Sequence, residues 1–172
     1  FERRLYLVRK QVENLIRASQ LKEKSFFYIT NLSSRTLIYK GLLMPAQLKN
    51  FFLDLQDKRL ESAFCLLHSR YSTNTFPTWD LAQPFLYLAH NGEINTLRGN
   101  INWMHTREGQ FRSSEFGADL KKIFPVIVPG GSDSATIDNV LEMLVLTGRG
   151  LPHAMCMLIP EAWQDNPHID EA

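Results

Sequence analysis

The sequence predicts an α+β fold in which sheets are covered by helical layers. Runs rich in β-branched and aromatic residues lie early in the chain, and helical patterns precede and follow them. Strands and helices that are grouped in this way pack as separate layers of one domain. The chain has 172 residues and is 44% hydrophobic and 22% charged, which is enough to bury a core and ordinary for a globular protein.

A first helix is predicted over residues 2–19. Its apolar residues recur at helical spacing with charged residues between them, so the helix is amphipathic. The apolar positions are Leu5, Val8, Val12, Leu15 and Ile16. We expect this helix to lie on the outside of the domain.

Four strands are predicted in the next part of the chain. The runs 26–31 and 35–40 are separated by two serines and indicate a β-hairpin. Residues 62–68 are almost continuously apolar, which is typical of a strand buried on both faces. Residues 74–84 contain two prolines and form a loop, and 85–90 return as a strand.

Helical patterns account for the rest. A proline suits the first turn of a short helix over 45–53, and further helices are predicted over 95–108, 116–123, 134–147 and 151–159. The polar tail after about residue 165 is expected to be disordered.

Composition argues against several classes of partner. The net charge is +1, and no basic run exceeds a pair, so we expect no nucleic-acid partner. No apolar run approaches the roughly 18 residues of a membrane helix, so we expect no membrane partner. The histidines show no metal-binding spacing. Cys65 and Cys156 sit in apolar surroundings, which predicts packed, inert thiols without a disulfide.

Two polar groups follow predicted strands. Arg70 ends the apolar strand, where a guanidinium can clamp a carboxylate, although a surface salt bridge is the ordinary alternative. Asn91-Gly92 favours a plain β-turn. It also suits an oxyanion hole, because the Asn amide and the Gly N–H are both donors.

A third candidate lies before a predicted helix. Asp133 follows two glycines and a serine, and an Asp or Ser at this place ordinarily caps the helix. The functional alternative is a carboxylate that receives a ligand ammonium. Together with Arg70 and Asn91-Gly92, Asp133 would suit an α-amino acid whose side-chain carbonyl is attacked. No convincing nucleophile accompanies them.

At these residues the sequence resembles a known enzyme family. The segments that carry the resemblance are 70–84, 90–102, 130–144 and 151–163, with Ser33-Ser34-Arg35-Thr36 and Tyr39-Lys40-Gly41. They resemble the class II glutamine amidotransferase domain of the glutamate synthase family. The resemblance implies a four-layer αββα sandwich of the N-terminal-nucleophile hydrolase type, with antiparallel sheets.

The resemblance also implies residue roles. Glutamine is hydrolysed to glutamate and ammonia, with Arg70 on the substrate α-carboxylate and Asp133 on the α-ammonium. Asn91 and Gly92 form the oxyanion hole, and Thr73 lines the same pocket. The nucleophile is an amino-terminal cysteine. Because residues 1–172 start at a phenylalanine, we expect a carboxy-proximal part of the domain that is inactive alone.

The resemblance implies further parts outside this chain. They are the amino-terminal part of the same domain, a synthase domain that receives ammonia through a channel and aminates 2-oxoglutarate, and an electron-donor subunit or ferredoxin. We expect no cofactor in this chain, but FMN and an iron–sulfur cluster in the parent enzyme. The expected location is the cytoplasm, or the plastid stroma in a photosynthetic eukaryote. An inactive amino-acid-binding or regulatory module, or a purely structural domain, remains an alternative.

Overall fold

The computed structural model describes residues 1–71 and 76–160, and these residues form helices and irregular segments. The α-helices are α1 (Glu2–Ala18), α2 (Leu48–Phe51), α3 (Leu97–Glu108), α4 (Asp133–Leu146) and α5 (Leu151–Leu158). Short 3₁₀ helices cover Lys24–Phe26, Pro45–Gln47, Leu53–Gln56 and Gly117–Ile123. All the predicted helices are therefore present, the one over 116–123 as a 3₁₀ helix and the one over 45–53 as three short pieces. The expected disorder of the tail concerns residues outside the described part.

The predicted α+β fold class is wrong for the described residues, since no strand forms among them. The antiparallel sandwich expected from the resemblance is wrong for the same reason. Residues 85–90 bend instead of extending, because the Phe85 N–H donates to the Leu88 carbonyl at 2.8 Å. In the 62–68 run, Phe64 and Leu67 remain 71% and 75% exposed. An apolar run identifies residues that suit a sheet, but a strand also needs a neighbouring backbone to pair with.

The core is formed by residues from the beginning and from the last part of the described chain. Helix α1 packs on the 3₁₀ helix Gly117–Ile123, and α4 packs on α5. The buried apolar side chains of this core are Tyr6, Phe116, Leu120, Ile123, Val126, Leu141, Met143, Leu144 and Ala154. No helix in the described ranges is both long and apolar enough to traverse a bilayer.

Helix α1 turns its polar face inward, although its apolar stripe suggested an ordinary amphipathic helix. Leu15 is 70% exposed, whereas Arg9, Lys10 and Glu13 are buried. The reason is that the segment beneath α1 is irregular and presents carbonyl groups. Lys10 Nζ donates to the carbonyls of Pro125 and Val126 at 2.7 and 3.0 Å. Buried carbonyls without a partner would be costly, so the polar face is the complementary one.

An ion pair joins α1 to α4. The guanidinium of Arg9 donates to the carboxylate of Glu142, and both side chains are buried. Burial raises the pKa of Glu142 to about 7, although the charge of Arg9 opposes this shift. The pair fixes which face of α4 meets α1, because losing either partner would leave a buried charge.

Candidate functional site

The Asn91-Gly92 dipeptide lies in a loop, residues 83–94, whose main chain is pinned at several points. The buried Gln83 side chain bonds the main chain of His90 twice. Its Nε2 donates to the His90 carbonyl at 2.8 Å, and its Oε1 accepts from the His90 N–H at 2.7 Å. These two bonds close the loop on itself one residue before Asn91.

Helix α4 holds the same loop through a buried polar stripe. Ser134, Asp138 and Glu142 recur every four residues, which places them on one face of the helix. Ser134 Oγ lies 3.0 Å from His90 Nδ1. The Asp138 carboxylate accepts the N–H groups of Leu86 and Tyr87 at 3.1 and 2.7 Å. Two successive turns of α4 therefore hydrogen-bond to two different parts of the loop.

Asp133 grips the loop on the far side of the dipeptide. Its Oδ2 accepts the Ile94 N–H at 2.7 Å, and its Oδ1 accepts the N–H of Ser134 at 2.6 Å. The helix cap is the preceding residue, Ser132, whose hydroxyl accepts from the Ala135 N–H. Asp133 is therefore the first residue of α4 and not its cap. Because a carboxylate has about four acceptor sites, it can accept further donors.

The dipeptide itself lies at the exposed end of the loop. Gly92 has φ +117°, a conformation that side chains rarely adopt. A Cβ added there would lie 3.7 Å from His90 Nε2, which is ordinary contact, so backbone conformation and not space requires glycine. Asn91 and Gly92 are both exposed, so their donors can reach a bound molecule.

The main chain of Arg70 is connected to Asn91 by the ring of His68. The half-buried ring of His68 places Nδ1 2.6 Å from the Arg70 carbonyl and Nε2 2.9 Å from Asn91 Oδ1. The Arg70 side chain is exposed. Hydrogen bonds thus connect Arg70, through His68, to Asn91, and the loop connects Asn91 to Asp133. Thr73 lies outside the described residues.

The comparisons with known proteins bear on this network. The family model described as "Glutamine amidotransferases class-II" matches residues 1–172. The chain belongs to this family. Among curated relatives, the glutamate synthase [NADPH] large chain of Bacillus subtilis is 55% identical to this amidotransferase chain over 171 residues. The match covers 99% of this chain and 11% of that protein.

Other relatives carry the same kind of name. The glutamate synthase [NADH] of Schizosaccharomyces pombe is 55% identical over 172 residues, covering 99% of this chain and 8% of that protein. The chloroplastic ferredoxin-dependent glutamate synthase of Oryza sativa is 44% identical over 168 residues. The match covers 98% of this chain and 10% of that protein. The chain therefore spans about a tenth of the length of the relatives it matches.

Sequence reasoning missed three residues of this hydrogen-bond network: His68, Gln83 and Asp138. The signal for Asp138 was available, because a Ser, an Asp and a Glu recur every four residues through an otherwise apolar helix. No sequence signal marked Gln83, whose role depends on where the loop folds back. The packed-thiol prediction for Cys65 and Cys156 is wrong, since both are exposed. Within the described ranges, no group of three or more potential ligands is placed to hold a metal ion.

Asp138 makes the stability of this chain depend on pH. Burial raises its pKa from 3.8 to about 6, against the backbone N–H groups that favour the carboxylate. Between these values the folded chain holds a proton that the unfolded chain has lost. The free energy of unfolding should therefore fall as pH rises from about 4 to about 6, by about 3 kcal/mol in all from this group.

Urea unfolding followed by far-UV circular dichroism at several pH values measures this slope. Asp138→Asn should make this slope clearly shallower over the same range, and Glu142, whose pKa burial also raises, should account for part of the slope that remains. Asp119→Asn is the matched control, because Asp119 sits in an exposed pair with Lys122, and it should keep the slope. Equal slopes for wild type and Asp138→Asn would contradict the assignment.

Proposed function

We propose that this chain supplies the glutamine-binding and oxyanion-stabilising groups of the glutaminase domain of a glutamate synthase. The observation that supports the proposal is the pinned 83–94 loop, which brings Asn91-Gly92 beside Asp133 and, through His68, beside Arg70. In a class-II amidotransferase these residue types match the two charges and the developing oxyanion of a glutamine substrate.

Each group has a distinct proposed role. The Arg70 guanidinium binds the α-carboxylate of glutamine, since its planar fork matches two carboxylate oxygens. Asp133 binds the α-ammonium, and Thr73 lines the same pocket. The Asn91 amide and the Gly92 N–H donate to the amide oxygen as it becomes negative, and one such donor is typically worth roughly 3–4 kcal/mol in the transition state.

The chemistry is acyl transfer to a cysteine thiol and then to water. The thiolate adds to the side-chain amide carbon of glutamine. The amide nitrogen takes up the proton that the thiol lost and leaves as ammonia, so that a glutamyl thioester remains. Water then cleaves this thioester to glutamate and the free thiol. We place the nucleophile at an amino-terminal cysteine of the parent polypeptide, as the resemblance implies, and not at Cys65 or Cys156. We also propose that the chain alone does not turn over glutamine.

Cys65→Ser and Cys156→Ser in the parent polypeptide should therefore leave glutamine hydrolysis unchanged within about twofold. Among the described residues, the Cys65 thiol makes a long 3.8 Å contact to the neighbouring Leu66 carbonyl, an acceptor that does not take up its proton. Coupled assays of glutamate release measure the rates. A loss of more than 100-fold in either variant, with the protein still folded, would move the nucleophile into this chain.

The remaining steps belong to other parts of the parent enzyme. We propose that ammonia passes through a channel to a synthase domain with FMN and an iron–sulfur cluster, where 2-oxoglutarate is aminated. This chain does not fit such a cluster, because clusters are usually held by several cysteine thiolates and it has two cysteines, Cys65 and Cys156. Electrons come from a donor subunit or ferredoxin, and the location is cytoplasmic or, in a photosynthetic eukaryote, the plastid stroma.

Substrate analogues test the proposed function. The parent polypeptide should release ammonia from L-glutamine but use analogues that lack either the α-ammonium or the α-carboxylate at least about 100-fold less well, because each loses one charged contact. Glutamine binding without ammonia release would instead indicate an inactive regulatory module. No binding at all would indicate a structural domain.

A further inference from the structure

His68 connects two residues of the proposed site, and its chemistry restricts how they are oriented. Its Nδ1 lies 2.6 Å from the Arg70 carbonyl oxygen, and its Nε2 lies 2.9 Å from Asn91 Oδ1. A carbonyl oxygen only accepts, so Nδ1 must carry a proton. The Nε2 atom faces the Oδ1 end of the Asn91 carboxamide, so the ring lies on the oxygen side of that group.

Anchoring the oxygen of Asn91 decides where its amide nitrogen points. The oxygen and the NH₂ group diverge from the same carbon, so an oxygen held on His68 directs the NH₂ group away from the ring. An exposed carboxamide without such an anchor can rotate so that its oxygen and its NH₂ group exchange places. It would then present its oxygen to the developing oxyanion, where like partial charges repel. A preorganised donor avoids this loss.

The main chain on either side of Asn91 does not depend on His68. Gln83 and Ser134 hold His90, and Asp133 holds the Ile94 N–H. Removing the imidazole should therefore free the Asn91 side chain while the loop stays in place. This separation distinguishes an orienting role from a general contribution to stability.

We propose that His68 is a positioning residue that orients the Asn91 carboxamide so that its NH₂ group meets the substrate oxyanion. This inference rests on the proposed function, since it needs Asn91 to act as an oxyanion donor. His68 acts through Asn91 and need not touch the substrate.

Two near-isosteric variants separate the two contacts of the ring. The amide nitrogen of glutamine replaces Nε2, whereas that of asparagine replaces Nδ1. In the parent polypeptide, His68→Ala and His68→Asn should lower the kcat of glutamine hydrolysis by roughly 10- to 100-fold, with KM changed less than about threefold. His68→Gln should recover most of the loss. His153→Ala, an exposed position on α5, is the control and should match wild type.

A double-mutant cycle completes the test. In an Asn91→Ala background, His68→Ala should cost less than about twofold more, because the group that it orients is gone. Full additivity, equal losses in the Gln and Asn variants, or a loss confined to KM would overturn the proposal. If Asn91→Ala itself leaves kcat unchanged, the proposed function fails first, so the two failures are distinguishable.

Discussion

Asn91→Ala is expected to lower the kcat of glutamine hydrolysis by roughly 100- to 1000-fold while KM changes little. In the proposed mechanism the Asn91 amide meets the substrate oxygen fully only when negative charge develops on it. An interaction made mainly in the transition state supports kcat and not ground-state binding. Steady-state kinetics of glutamate release by the parent polypeptide measure both constants.

Two further variants sharpen this expectation. Asn91→Asp keeps the shape of the side chain but replaces the donor with a negative acceptor, so its kcat should fall at least as far. Asn50→Ala changes an exposed asparagine on α2 and should leave both constants near wild type. A pure rise in KM for Asn91→Ala would count against the oxyanion role.

Arg70→Ala and Asp133→Ala are expected to reduce kcat/KM for glutamine by roughly 100- to 1000-fold, because each removes one charge that pairs with the substrate. The two should differ in kind. Arg70→Ala should act mainly through KM. Asp133→Ala should lower kcat as well, because Asp133 also holds the Ile94 N–H beside the oxyanion dipeptide.

The controls separate binding from misfolding. Amination of 2-oxoglutarate with free ammonia should survive in both variants, since it bypasses glutamine. Arg59 and Asp57 form an exposed, local ion pair, and their alanine variants should behave like wild type. Equal loss of the glutamine-dependent and ammonia-dependent activities would point to misfolding.

The helices were predictable because their patterns are local. The apolar spacing of α4 and the apolar run of α5 place both helices within a residue or two of their observed ends. The face that α1 buries was not predictable in this way. It depends on the carbonyls of residues 124–126, which lie far along the sequence and accept bonds from Lys10 and Asn14.

The strands failed for a related reason. The 85–90 run has the composition of a strand, but its main-chain donors bond Asp138 and the run's own Leu88. A hydrophobic pattern predicts which side chains are buried. It does not predict which acceptor a backbone N–H bonds to.

The proposed site was predictable as a set of residue types but not as a network. Asn91-Gly92 and Asp133 stand out in the sequence because short polar groups follow predicted elements or precede a helix. The way they are held does not stand out. Gln83 and His68 look unexceptional until the loop brings their polar atoms to His90 and Asn91.

A crystal structure of the parent polypeptide with L-glutamate bound tests the central claim most directly. The account predicts the Arg70 guanidinium within about 3 Å of the ligand α-carboxylate and an Asp133 oxygen within about 3 Å of its α-ammonium. Glutamate bound at a site that includes neither side chain would contradict the account.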